Sequence, residues 1–271
     1  MKQMLLALQF LTILPVRVKG MVSEKELAQS ATFFPLVGAF QGLLAALSSM
    51  ILLKIFSSEI VAGLIILIFI LSNGGFHLDG LSDTFDALAT KSTGDKEADI
   101  SRRLAIMKDS TTGAIGVMAI VIVILLKFLF IKDLLTTKMV VLPISILFLM
   151  PVFSKWTMLL AMYHGTPARQ DGLGRIFIEN VKANTLIFSS IIVLGLCTGV
   201  AKLYLLQVFP RTGIVALFMM VFASLYGFSL IAVWFCRKRF NGLTGDTLGA
   251  LSEISEIIFL MVIAIWWRGN S

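Results

Sequence analysis

The sequence predicts an all-α, polytopic membrane protein with about seven transmembrane helices and a short interfacial or re-entrant helix at its N-terminus. Three observations carry this expectation. Of 271 residues, 58% are hydrophobic and only 14% charged, whereas a soluble domain is nearer a quarter charged. Several apolar runs reach the roughly 20 residues that a helix needs to cross a bilayer. The runs are unbroken stretches of Leu, Ile, Val and Phe without the alternation of a barrel strand, and only helices and closed barrels satisfy their own backbone in lipid. The net charge of +7 fits basic loops facing anionic lipid better than nucleic acid, since no Lys/Arg run exceeds Arg237–Arg239.

In chain order, Met4–Leu14 is too short to span and reads as an interfacial or re-entrant helix. Lys2 ahead of it resembles a signal peptide, but no small-residue cleavage site precedes Pro15, so the segment is expected to be retained. The first span is expected over Ala31–Leu53, where Pro35, Gly38 and Gly42 permit close helix contacts. The second follows over Ile60–Gly75, and His77–Thr112 forms a polar loop. The third span is Gly113–Ile131, and the fourth is Val140–Met162, carrying Pro143, Pro151 and Lys155. A second polar loop, Tyr163–Ala183, leads to spans five (Asn184–Leu206) and six (Gly213–Cys236). A third loop, Arg237–Gly245, precedes the last span, Asp246–Trp267, whose Trp266 and Trp267 suit a membrane interface.

The N-terminal segment and the three polar loops hold 15 Lys and Arg, against 6 on the other side. That bias places the polar loops and N-terminus in the cytoplasm and the C-terminus outside. A break of the fourth span at Pro151 would invert everything after it. Cys197 and Cys236 sit in apolar runs without metal-ligand spacing and read as packing residues. No linker or repeat divides the chain, so residues 1–271 are expected to form one domain whose chemistry sits on helix ends at one membrane face.

The richest stretch is Gly74–Ala87, GGFHLDGLSDTFDA. Asp79, Asp83 and Asp86 are spaced by four and three, which on a helix puts their carboxylates within a wedge of about 60°. Like charges so crowded favour a divalent cation, and Mg²⁺ prefers oxygen ligands and bridges carboxylates to substrate phosphates. A second acidic set, Asp246, Glu253 and Glu256, opens the last span. Asp246 follows a Gly-rich turn and offers another carboxylate to the same cation. For Glu256 the alternative is an ion pair with Lys127 or Lys155, because a carboxylate within a span demands a partner. Cations for phosphate stand on the same face at Arg102, Arg103, Lys108, Arg169 and Arg175, and Lys155 is expected to face a polar cavity. His77 lies about 200° from Asp79, so it is placed to orient a carboxylate or phosphate rather than to ligate metal. No Ser/His/Asp set, HExxH helix, P-loop or GxGxxG element points elsewhere.

Gly74–Ala87, Leu104–Val117 (LAIMKDSTTGAIGV) and Leu243–Ala250 (LTGDTLGA) resemble, in order, the three signature segments of the cobalamin synthase family, also called adenosylcobinamide-GDP ribazoletransferases. Leu8–Pro15 (LQFLTILP) and Ala168–Gly174 (ARQDGLG) extend the likeness over nearly the whole chain. The resemblance implies an integral enzyme of a prokaryotic inner membrane that joins adenosylcobinamide-GDP to α-ribazole or its 5′-phosphate, releasing GMP with Mg²⁺ as cofactor. It implies metal ligands at Asp79, Asp83, Asp86 and Asp246, and catalytic roles for Asp79, Asp83 and Lys108. Substrate contacts are implied at His77, Arg103, Asp109, Lys155, Arg169 and Glu253. Partners implied are the bilayer and other late corrinoid-pathway enzymes, with no nucleic acid. The chain departs from the family pattern at Thr111 and Lys155, where Arg is common, and at Asn241, where Gly is usual.

Two other readings compete. A CDP-alcohol-type phosphotransferase also clusters aspartates around Mg²⁺, but its signature puts Ala-Arg soon after Asp-Gly, whereas Asp79-Gly80 is followed by Leu-Ser-Asp. An ion-coupled transporter could use Lys155, Glu253 and Glu256, but would call for inverted halves and mid-membrane carboxylates.

Overall fold

The computed structural model describes residues 2–269 except 110, 138, 140 and 204. Ser110, inside the second signature segment, and Val140, where the fourth span was expected to begin, lie outside the described residues. Among the described residues all regular structure is helical: α1 (Lys2–Leu11), α2 (Glu24–Ser30), α3 (Phe34–Leu52), α4 (Ser58–Asn73), α5 (Phe76–Leu88), α6 (Lys96–Ile106), α7 (Ala114–Leu135), α8 (Val141–His164), α9 (Leu173–Asn180), α10 (Ala183–Leu203), α11 (Arg211–Phe240) and α12 (Gly245–Arg268). Among the described residues six helices are long and apolar enough to cross a membrane, Glu24–Leu52 counting as one, or seven if the bent pair α4–α5 is one span.

Helix α8 is the centre of the bundle and is buried along almost its whole length. It runs unbroken through Pro151, so the fourth expected span is one helix. Gly38 and Gly42 let α3 lie against it: a Cβ on either would collide with the Pro151 or Phe148 carbonyl. This is the small-residue packing by which helices approach in lipid. Phe153 and Phe259 bring α8 onto α12, with ring centroids 5.4 Å apart.

Three boundaries differ from expectation. The first span begins earlier, at Glu24, because Ser23 and Glu26 form a reciprocal capping box. The stretch His77–Thr112 is mostly helix rather than loop, since α5 and α6 occupy it, and α9 sits in the second polar loop. α11 runs on to Phe240, leaving only residues 241–244 as the last turn. Asn241 there has φ 63, a left-handed conformation that Gly adopts freely and Asn tolerates best among other residues.

Candidate active site

The acidic helix is aimed by a sharp corner. Gly74 (φ 67) and Gly75 (φ 75) both adopt left-handed backbone, and there the chain bends by 89° between α4 and α5. Asn73 steadies the corner by accepting the Gly75 N–H at 2.9 Å. Ile13 N–H donates to the Ser72 carbonyl at 3.1 Å, tying the segment after α1 to the same corner.

Beyond the corner α5 lies directly against the start of α12. A Cβ on Gly80 would stand 2.7 Å from the Asp246 carbonyl oxygen, and one on Gly249 would stand 3.2 Å from His77 Cα. These two glycines bring Asp246 to the face of α5 that carries Asp79 and Asp83, across 163 positions of sequence. The charges of Asp79, Asp246 and Asp86 act unfavourably on Asp83, and Arg169 supplies the opposing charge. Asp86 is used differently. Its two oxygens accept the N–H groups of Gly113 and Gly116 at 2.7 and 2.8 Å, so it caps the N-terminus of α7, where a carboxylate complements the exposed donors and the helix dipole.

Among the described residues no three acidic, His or Cys side chains stand close enough to form a complete metal cage. The donor set still fits Mg²⁺, which is held through one or two carboxylates plus substrate phosphates and water rather than by a protein cage. Asp79 is exposed, and Asp83 and Asp246 are half-buried, so these three remain open to such a shared ion.

Cations reach this junction through a staple. Leu243 N–H donates to the Thr166 carbonyl and Ala168 N–H to the Leu243 carbonyl, both at 2.8 Å. The strap 165–172 is thereby fixed to the turn before α12. Arg169 then donates to Asp246 at 3.4 Å and to the Leu104 carbonyl at 2.9 Å. Its buried Nε has no hydrogen-bond partner among the described residues. Lys108 pairs with Asp171 at 2.7 Å, and that hydrogen bond holds the Asp171 carboxyl below its ordinary range.

Two cavities open on either side of Asp246. One, of about 390 Å³, is walled by Phe10, Met158, Met162 and Phe177, with His77 and Asp79 at its edge. The other, of about 400 Å³, is lined by Lys108, Arg169, Asp171 and Arg175. Phe10, Leu173, Gly174, Gly245 and Asp246 line both.

Comparison with known proteins bears directly on this arrangement, since residues 3–264 match the family described as Cobalamin-5-phosphate synthase. The chain belongs to that family. It is similar to the adenosylcobinamide-GDP ribazoletransferase of Thermodesulfovibrio yellowstonii, at 40% identity over 95% of this chain and 94% of that protein. It also resembles the proteins of the same name from Syntrophobacter fumaroxidans (36% identity, 95% and 96% covered) and Clostridioides difficile (33%, 97% of each). No solved structure matches the chain.

In this Cobalamin-5-phosphate synthase family member, six of the residues expected at the site line neither cavity: Asp83 and Asp86 on α5, whose surroundings are given above, and Arg103, Asp109, Lys155 and Glu253. Arg103 is buried, donates to the Arg239 carbonyl at 3.2 Å and pairs with Asp99 at 3.8 Å, so it fastens α6 to α11. Asp109 is exposed and accepts the Thr111 N–H at 3.0 Å. Glu253 is bound by Lys127 at 2.6 Å, and Lys127 also holds Glu256 at 2.5 Å. Of the two cations offered for Glu256, Lys127 is therefore the partner. Lys155 is 1% exposed and stands 3.3 Å from both His77 Nδ1 and Ser252 Oγ. It faces a polar enclosure of about 10 Å³ shared with Glu253, Glu256 and Lys127 rather than an open cavity. Buried charges on α7 and α12 thus pair with one another, and Lys155 on α8 is met by His77 and Ser252, as ionisable groups inside a membrane require partners. His77 joins this network to the apolar cavity.

Sequence reasoning overlooked the cavity walls. Phe10, Met158 with Met162, and Phe177 lie in three separate parts of the chain and read individually as membrane-facing or core residues. Asp171 and the pairing of Lys127 with Glu253, as distinct from that with Glu256, also went unassigned, because nothing in their local sequence marks a partner 63 or 126 positions away.

Proposed function

We propose that this chain is a Mg²⁺-dependent membrane phosphotransferase that joins adenosylcobinamide-GDP to α-ribazole or its 5′-phosphate and releases GMP. The observation that carries the reading is the meeting of α5 with Asp246 between a cation-lined cavity and an apolar one. Its weight comes from a relative of that name that is 40% identical over 95% of this chain.

The acceptor hydroxyl oxygen bonds to the phosphorus attached to the cobinamide arm. The pyrophosphate P–O bond breaks, and GMP leaves with that electron pair. Asp79 or Asp83 takes the hydroxyl proton. Arg169 and Lys108 hold the phosphates in line, and positioning of this kind together with charge neutralisation is most of what phosphoryl transfer requires. Arg169 grips planar oxygen pairs, whereas Lys108 acts as a point charge. One or two of Asp79, Asp83 and Asp246 would hold Mg²⁺ together with substrate phosphates, and the ion would supply charge neutralisation when bound. Asp86 supports the site from behind through the N-terminus of α7.

The positive-inside bias supports a reading in which this face is cytoplasmic, on a prokaryotic inner membrane, where other enzymes of late corrinoid assembly could deliver the donor. The test uses the purified chain in lipid nanodiscs with both substrates, with and without a chelator of divalent cations. Equal amounts of GMP and cobamide product, lost on chelation and restored by Mg²⁺, support the reading. Absence of both products from well-folded protein discards it.

A further inference from the structure

The two cavities beside Asp246 differ in chemistry although they are nearly equal in size. Lys108, Arg169 and Arg175 line only the second. The first is lined by no Lys or Arg among the described residues; most of its wall is apolar side chain, broken by Gln9, Asn73 and His77 and by the carboxylates of Asp79 and Asp246. A phosphate-bearing group is therefore drawn to the second cavity and a neutral apolar group to the first. We propose that the first cavity seats the aromatic base of the nucleoside acceptor, and that Phe10, Met158, Met162 and Phe177 determine which bases are accepted. This rests on the function proposed above and adds the acceptor's place and its selectivity.

Size sorts the two substrates. Small-ligand pockets run from about 300 to 1,000 Å³, and a cavity of about 390 Å³ is at the end that suits a bicyclic base and its sugar. The corrin macrocycle with its amide arms is far too large and must remain outside, presenting only its phosphorylated arm. The wall chemistry agrees. Met158 and Met162 are 3% and 1% exposed and so form the packed floor. Thioethers are polarisable and make favourable contacts with aromatic rings. Phe10 and Phe177 are themselves tilted ring to ring at 4.5 Å, the offset geometry into which another flat ring can extend.

The two cavities adjoin. Phe10, Leu173, Gly174, Gly245 and Asp246 form part of both linings, and Gly174 and Gly245 pack backbone to backbone between them, a Cβ on Gly174 coming 2.9 Å from Gly245 N. A base seated on the methionine floor directs its sugar hydroxyl past these glycines, beside Asp246 and Asp79, toward phosphates held by Arg169.

The test compares the full-length wild type in nanodiscs with Met158→Phe, which narrows the cavity, and Met162→Ala, which deepens it. Each protein is first checked for a single symmetrical peak in size exclusion. The Michaelis constants for α-ribazole and for adenosylcobinamide-GDP are measured separately, and α-ribazole alone is titrated by equilibrium dialysis. Met158→Phe is expected to raise the α-ribazole constant about tenfold and leave the donor constant within about twofold, a tenfold change corresponding to about 1.4 kcal/mol. Met162→Ala is expected to shift kcat/KM toward a nucleoside with a tricyclic base. If either folded variant alters the donor constant instead, or leaves acceptor affinity and base preference unchanged, the assignment is overturned. If one variant fails to fold, the other still decides. A wild type that binds α-ribazole but makes no GMP would instead overturn the proposed reaction and leave the cavity's ligand class standing.

Discussion

Gly80→Ala is a one-carbon perturbation whose consequence can be worked from the contact it makes. The added Cβ would stand 2.7 Å from the Asp246 carbonyl oxygen and 2.9 Å from Asp246 Cα, both backbone atoms that cannot rotate away. Favourable contacts begin near 3.5 Å, so α5 and α12 must part by roughly 0.7 Å. Overpacking of this kind costs about 1–3 kcal/mol, which a bundle of this size survives. Catalysis is less tolerant, because displacement of about 1 Å between reacting groups can cost 10²-fold. The variant is therefore expected to fold, to lose a few degrees of thermal stability and to lose about ten- to a hundredfold in turnover. Gly63→Ala serves as the control, since a Cβ there meets nothing within 4 Å. GMP release in nanodiscs and differential scanning fluorimetry read the two effects. Wild-type turnover in a folded Gly80→Ala protein would refute the claim that the α5–α12 contact sets the geometry of the site.

Lys127→Met leaves Glu253 and Glu256 buried without their cation, a loss of about 3–5 kcal/mol; fluorescence-detected size exclusion should show little folded protein. Adding Glu253→Gln and Glu256→Gln should restore much of it. Asp86→Ala strips the caps from Gly113 and Gly116, costing about 1–2 kcal/mol and speeding amide exchange at the start of α7. Asp99 accepts from Ser92 Oγ and from the Thr93 N–H and hydroxyl, and these bonds, the Ser92 one first, pull its carboxyl from an ordinary 3.8 to about 2. The folded value lies below the unfolded one, so this support for α6 is complete above pH 3.8 and lost as pH falls through about 2. Amide exchange at residues 92–99 should rise over that window in the wild type, whereas Asp99→Asn should show high exchange at neutral pH and no such rise.

Much of the fold was legible because bilayer thickness acts on local sequence. A run such as Ala114–Leu135 announces a span by its length alone. Pro151 was ambiguous, and the structure resolves it through packing that no local rule describes: Gly38 and Gly42 bring α3 against that part of α8. The corner at Gly74-Gly75 was visible as a pair of glycines, but its 89° angle depends on Asn73 and Ile13. The Ser23–Glu26 capping box was readable from spacing and was passed over.

The site divides along the same line. Asp79 and Asp83 share a face by helical periodicity, which sequence states directly. Asp86 shares that periodicity yet turns to cap α7, because Gly113 and Gly116 arrive from 27 and 30 positions away. Glu253 stood out as a costly intramembrane charge, and so did Lys127; that they answer one another is a property of the bundle rather than of either segment. The apolar cavity was illegible for the same reason, since its walls are assembled from α1, α8 and α9, which are far apart in sequence.

The central claim is that phosphoryl transfer takes place where α5 meets Asp246. Asp83→Asn keeps the size and hydrogen-bonding capacity of the side chain while removing its charge, so it isolates the chemistry from the fold. Single-turnover release of GMP from adenosylcobinamide-GDP in the presence of α-ribazole and Mg²⁺ is the measurement that decides. A monodisperse Asp83→Asn protein with wild-type thermal stability and release slowed at least about a hundredfold is the predicted result. Release at the wild-type rate from that same protein would contradict the account and move the reaction away from the acidic helix.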